Sequence, residues 1–202
     1  MTEQVYQHPY FGNMNYLLQE PDGECPVLLV FLHGAGERGN DVSQVFVNGI
    51  PCYIREGMDI PAVVVCPQCP ANAVWSDLVY LLRDFINDIA ARYHTRRTVI
   101  TGISMGGYGT WAMLEAFPEM FCKGAPICGG GLAWNAGAIK APVWAFHGDA
   151  DNVVLPKNSL EMVDALKGAG GDVRLTLFHG VGHGSWDDAY LTTKVIDWLL
   201  AE

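Results

Sequence analysis

Positive charge is scarce in this chain. Its 202 residues include 12 Lys and Arg against 22 Asp and Glu, a net charge of −10. That balance argues against nucleic acid or an anionic membrane surface as partner. Long apolar runs are missing too: no window approaches the roughly 18 uninterrupted apolar residues of a membrane span. The opening MTEQVYQHPYFG has no charged stretch leading into an apolar one, so no signal peptide is expected and the expected location is cytoplasmic. There is no linker, repeat or low-complexity segment, which predicts one domain over residues 1–202.

Cysteine is present but not in a disulfide framework. The six (Cys25, Cys52, Cys66, Cys69, Cys122, Cys128) sit in a chain long enough to build a core without staples, and reduced thiols are expected. Cys66-Pro67-Gln68-Cys69 lacks a second C-x-x-C or a His pair at ligand spacing. Following Val63-Val64-Val65, it reads as a strand end and loop. The one glycine run, Gly129-Gly130-Gly131, lacks the G-x-G-x-x-G opening into a helix that a dinucleotide needs. No cofactor and no metal are expected.

What the chain has is apolar surface to bury: half its residues are hydrophobic and only 17% are charged. Apolar runs alternate with amphipathic segments, the pattern of an α/β protein with a mostly parallel sheet and helices on both faces. Strands are predicted at 14–19, 27–32, 62–66, 98–101, 125–128, 142–147 and 173–178, with a turn at Pro21-Asp22-Gly23. Val27–Leu32 (VLLVFL) is continuously apolar, as a strand covered on both faces should be. Leu78, Leu81, Leu82, Phe85 and Ile89 recur at helical spacing across 78–93. Helices are also predicted at 108–117, 160–167 and 188–200.

The most informative stretch is Thr98–Met113, TVITGISMGGYGTWAM. A β-branched strand runs into Gly102-Ile103-Ser104-Met105-Gly106 and then a helix, the setting in which G-x-S-x-G forms a nucleophile elbow. A serine at so tight a turn is strained and crowded, and glycines two before and two after remove the side chains that would clash. The following helix N-terminus favours a developing anion there.

A base and an acid should come from later loops at the carboxyl end of the sheet. After the 142–147 strand comes His147-Gly148-Asp149-Ala150-Asp151-Asn152; after the 173–178 strand comes His179-Gly180-Val181-Gly182-His183-Gly184-Ser185-Trp186. His183, deep in the glycine-rich loop, is favoured as base over His179, which directly follows the strand. Asp151 is favoured as acid over Asp149, whose position suits it to capping its own turn. An oxyanion hole needs two backbone N–H groups. Met105 supplies one, and Ala35 in His33-Gly34-Ala35-Gly36 the other, with Gly36 as alternative. His33 reads as a loop organiser and Glu37 with Arg38 as a surface pair. Trp186 leads the candidate pocket walls, with Trp75, Tyr108 and Trp134 behind it.

With these residues in hand, the chain resembles the α/β-hydrolase superfamily. It is most similar to small serine carboxylesterases of the phospholipase/carboxylesterase and dienelactone-hydrolase-like groups, including single-domain members akin to prolyl-oligopeptidase catalytic domains. The words that carry the resemblance are LHGAGERG (Leu32–Gly39), GISMGGYGTW (Gly102–Trp111), HGDADNVV (His147–Val154) and GHGSW (Gly182–Trp186). The resemblance implies Ser104 as nucleophile, Asp151 as acid, His183 as base, and Ala35 and Met105 as the hole. It implies a small-molecule ester as substrate, and Gly131–Lys140 is too short for a substantial lid. Dienelactone hydrolases carry cysteine at the elbow, so Ser104 points away from that substrate. The expected activity is carboxyl-ester hydrolysis through an acyl-enzyme. A thioesterase or lysophospholipase with the same three residues is the alternative, and a silent binding protein would have lost one of them.

Overall fold

The computed structural model describes residues 1–21, 23 and 26–202. Cys25, and Asp22 at the centre of the turn expected at 21–23, lie outside the described residues. The scaffold is one eight-stranded sheet in the order β1-β2-β4-β3-β5-β6-β7-β8. Its strands are β1 (Thr2–His8), β2 (Gly12–Gln19), β3 (Val27–Leu32), β4 (Val63–Pro67), β5 (Arg97–Ile103), β6 (Lys123–Ile127), β7 (Val143–Gly148) and β8 (Val173–Phe178). β1 pairs antiparallel with β2 and β2 with β4. From β4 onward every neighbouring pair is parallel.

The pleat sends alternate residues of each strand to opposite faces. Leu28, Val30 and Leu32 of β3 join one buried cluster, with Leu82 and Phe85 of α2 (Val79–Arg92), Trp111 of α3 (Met105–Ala116) and Met162 of α4 (Lys157–Gly168). Val27, Leu29 and Phe31 join the other, with Ile50 and Tyr53 of α1 (Ile50–Arg55) and Val195 and Leu199 of α5 (Val195–Leu200). All six residues of β3 are buried, and each large aliphatic among them stabilises the fold by about 1.5–3 kcal/mol. Two cores, one per face, hold the sheet rigid, so the loops at its carboxyl edge start from fixed points.

Three features depart from the sequence reading. β1 went unread because TEQVYQH is an edge strand with no buried residue. α1 also went unread: it spans only six residues, too few to show a period. The helix expected over 188–200 is broken. A wide helical turn covers Asp188–Thr192, and α5 begins only at Val195. Thr193 explains the break, since its hydroxyl donates to Ala189 O (2.5 Å) and accepts from Val195 N–H (3.1 Å), a side-chain alternative to the helical ladder.

Candidate active site

Ser104 stands between β5 and α3 with φ 53° and ψ −115°, a left-handed conformation that a side chain adopts only under constraint. The constraint is visible on both sides. Ser104 N–H donates to Ile127 O of β6 (3.0 Å), and Tyr108 N–H returns to Ser104 O (3.1 Å). At Gly106 an added Cβ would lie 1.8 Å from Leu32 O, so only glycine lets α3 start this close to β3. The serine hydroxyl is left at the sheet edge with α3 behind it.

Two further loops deliver the partners. The segment after β7 and the segment after β8 are stitched together by Asp149 N–H to Phe178 O (3.1 Å) and Ala150 N–H to Val181 O (3.0 Å). A Cβ on Gly148 would sit 2.2 Å from Val181 O, so glycine is what permits this contact. The result is a chain of hydrogen bonds: His183 Nε2 lies 2.9 Å from Ser104 Oγ, and His183 Nδ1 lies 2.7 Å from Asp151 Oδ2. Asp151 Oδ1 accepts from Val153 N–H (2.9 Å) and Val154 N–H (3.0 Å). Burial pushes the Asp151 carboxyl up. The hydrogen bonds from His183 and the two N–H groups outweigh it and hold the carboxyl below its ordinary value. Asp151 is therefore ionised, Nδ1 of His183 carries the proton, and Nε2 is left to accept from the serine.

His179 and Asp149 form a pair of their own, 2.8 Å apart, with the histidine side chain 99% exposed. Neither is hydrogen-bonded to Ser104, His183 or Asp151. Ala35 opens the short 3₁₀ turn after β3 and Met105 opens α3. Each is a first-turn N–H that its own helix leaves without a partner. The β3 loop comes close to Ser104, for a Cβ on Gly34 would lie 3.8 Å from Ser104 Cβ. His33 fastens that loop: Cys69 N–H donates to Nε2 (2.9 Å), and Nδ1 faces Gly34 O (2.6 Å). Its carbonyl accepts from Trp75 Nε1 (2.9 Å).

Glu37 corrects the expectation of a surface pair. Only 5% exposed, it turns inward beneath its loop, accepting from the Asn48 amide with His33 Nδ1 at 3.7 Å. Arg38 instead donates to Ala35 O and Ala73 O. Burial raises the Glu37 carboxyl, but the bonds from His33 and Asn48 outweigh it and the net direction is down.

Beside Ser104 opens a cavity of about 350 Å³, walled by Val74, Trp75, Ser76, Met105, Tyr108 and Val154. None of these walls is ionisable in the working range: the one phenol, Tyr108, is raised by burial and then by the nearby Asp151 charge. Trp75 and Tyr108 line this cavity. Trp186 packs edge-on against His183, with ring centroids 5.6 Å apart, and is not part of the wall. Trp134 is 82% exposed and takes no part either. Val74, Ser76 and Val154 escaped the sequence reading because such side chains carry no chemical signature. Val154 alone had a signal, three residues past Asp151 on one loop.

Among the described residues, Cys52, Cys66, Cys69, Cys122 and Cys128 are free thiols. Burial raises the Cys66 thiol, and raises Cys69 to about 11. Ligand atoms of Cys128, Asp151 and His183 lie within 4.8 Å of one another. A divalent ion there would need a thiolate and a bare Nδ1. The structure instead offers a proton-bridged His–Asp pair, and burial raises the Cys128 thiol to about 12. Among the described residues, no helix is long and apolar enough to cross a membrane.

An eight-stranded, mostly parallel sheet with a left-handed serine between β5 and α3, and its partners on the loops after β7 and β8, is the α/β-hydrolase architecture. Comparison with known proteins agrees. Residues 133–202 match the prolyl oligopeptidase family. A thermostable esterase of known structure is 35% identical, with a TM-score of 0.85 over 98% of this chain; the chain spans 62% of that protein's length. The acylaminoacyl peptidase of Pyrococcus horikoshii (16% identity, TM-score 0.75, 98% of this chain and 42% of that one) shares the fold. So does the feruloyl esterase module from Clostridium thermocellum, solved with sinapinate (17% identity, TM-score 0.72, 98% of this chain and 86% of that one). No curated protein sequence matches the chain. The chain belongs to the α/β-hydrolase superfamily.

Proposed function

We propose that this chain is a serine carboxylesterase, acting as a single domain in the cytoplasm, that cleaves esters of small neutral acids through an acyl-enzyme. The observation that carries the reading is the His183 ring, hydrogen-bonded at 2.9 Å to Ser104 Oγ and at 2.7 Å to Asp151 Oδ2.

In the first half-reaction His183 Nε2 takes the proton of Ser104 Oγ as that oxygen attacks the ester carbonyl. Asp151 keeps the imidazole in the right tautomer and balances the imidazolium. The N–H groups of Ala35 and Met105 receive the oxyanion, the interaction worth most because it strengthens as charge develops. His183 then gives its proton to the departing alcohol. Water, deprotonated by the same nitrogen, attacks the acyl-enzyme and releases the acid. No cofactor enters either step.

The acyl group sits in the cavity beside Ser104. About 350 Å³ is near the lower end of the roughly 300–1,000 Å³ usual for ligand pockets, and its uncharged walls suit a short, neutral acid. The aromatic walls Trp75 and Tyr108 favour a second reading, an aryl acid such as the hydroxycinnamates for which the feruloyl esterase module is named.

Initial rates on p-nitrophenyl esters from acetate to laurate, beside a methyl hydroxycinnamate, test both. A serine-dependent maximum at about two to four carbons supports the short-chain reading. Preference for the cinnamate moves it to aryl esters, and a maximum at long chains to a thioesterase or lysophospholipase. Folded protein with no rate on any ester, and no labelling of Ser104 by a fluorophosphonate, would refute it.

A further inference from the structure

One buried histidine takes no part in the reaction just described. His147, next to last in β7, is fully buried. Its Nδ1 lies 2.7 Å from Ser159 Oγ, a hydroxyl that also reaches Gly129 O at 2.9 Å. Its Nε2 lies 2.8 Å from Val154 O and 3.3 Å from Asp151 Oδ2. Both groups facing Nε2 are acceptors only, a carbonyl and an ionised carboxylate. A bare Nε2 would set lone pairs against lone pairs at a fully buried position. Nε2 therefore carries a proton.

We propose that His147 is a positioning residue for the Ser104–His183–Asp151 reaction, sharing its Nε2–H between Val154 O and Asp151 Oδ2. The proposal rests on the esterase reading for its catalytic meaning. Two histidines then grip one carboxylate oxygen with opposite ring nitrogens: His183 from the cleft through Nδ1, His147 from the core through Nε2. The bond to Val154 O also closes the loop that holds Asp151, and Val154 is a wall of the acyl cavity. Positioning and substrate fit are coupled through one proton.

An acceptor with a second donor is a weaker partner for an imidazolium, so removal of His147 should tighten the hold of Asp151 on the protonated ring of His183. The other groups facing this cluster do not titrate in the relevant range. Just past β6, Cys128 stays protonated with its thiol raised to about 12; from α3, Tyr108 is likewise raised. From α4 comes only the Ser159 hydroxyl, and against His183 lies the edge of Trp186.

The test compares His147→Leu, which removes the donor, with His147→Gln, whose amide returns an N–H near the Nε2 position. In His147→Leu the acid limb of kcat/KM for p-nitrophenyl acetate should move to higher pH by roughly half a unit or more, with kcat reduced and KM little changed. His147→Gln should return the limb toward wild type. An unmoved limb in His147→Leu, or a glutamine variant no better than the leucine one, overturns the proposal. Nitrogen-15 NMR titration of His183 in a Ser104→Ala background reads the same shift without turnover, so failure of the esterase reading and failure of this one are distinguishable. Should His147→Leu not fold, the wild-type spectrum decides. A slowly exchanging proton on Nε2 of His147 is expected, and a bare Nε2 there overturns the proposal.

Discussion

Two His–Asp pairs sit side by side on the same two loops, and at the level of the pair they are near copies. His183–Asp151 is 2.7 Å and His179–Asp149 is 2.8 Å, each through Nδ1 and Oδ2. The difference is in the surroundings. Asp151 has no exposed side-chain surface and His183 only 20%, against 38% for Asp149 and 99% for His179. Water and salt screen the outer pair, which therefore contributes little. The inner pair is largely shielded from solvent and has a third member, Ser104. A distance between two side chains says nothing about chemistry until burial and the next partner are known.

Glu115 of α3 extends the contrast. It is as buried as Asp151 but receives a single N–H, from Leu132 (3.2 Å). Burial therefore wins, and its carboxyl is raised to about 7, where that of Asp151 is lowered. Burial raises both carboxyls, and only at Asp151 do the hydrogen bonds it receives outweigh it.

The comparison can be broken at several points. The largest effect is expected from Ser104→Ala, which should cost roughly 10⁶-fold in kcat while leaving the thermal midpoint at or above that of wild type; substantial residual turnover would remove Ser104 from the chemistry. Next is Asp151→Asn, expected to lower kcat about 10⁴-fold by mis-setting the tautomer of His183. Asp149→Asn and His179→Ala should leave kcat within about twofold, since exposed pairs hold little energy. If the Asp149 variant is the crippled one, the roles of the pairs are reversed.

The smallest effect concerns stability. Glu115 binds its proton more tightly folded than unfolded, so its contribution is complete below the ordinary carboxyl range and is lost as pH rises through about 7. Glu115→Gln, which keeps the acceptor for Leu132, should stabilise the protein by about 2 kcal/mol at pH 8, or roughly 4–8 °C in Tm, and by almost nothing near pH 4. Equal gains at both pH values in calorimetry would show that folding does not raise the Glu115 carboxyl.

How much of this was legible in the sequence depends on what each residue signals. The β3 and β5 runs announced buried strands because continuous apolar residues have no other economical fate. That Ser104, His183 and Asp151 meet was legible because all three follow strand ends at one edge of the sheet, with glycines around Ser104 and His183. β1 was invisible because an edge strand owes its pairing to β2 rather than to burial of its own side chains. The inward turn of Glu37 and the second grip of His147 on Asp151 depend on which loops meet. No local pattern in the sequence encodes that.

The left-handed backbone at Ser104 places the proposed nucleophile where the chain is least at ease. Such a conformation costs of order 1–3 kcal/mol in a residue with a side chain, and glycine would relieve much of it. Ser104→Gly should therefore melt above the wild type while hydrolysing nothing, and a lower midpoint would argue that the elbow is unstrained. If it melts higher, stability and activity are in open conflict at this one position. Selection for robustness alone would then erase the proposed activity and keep the fold.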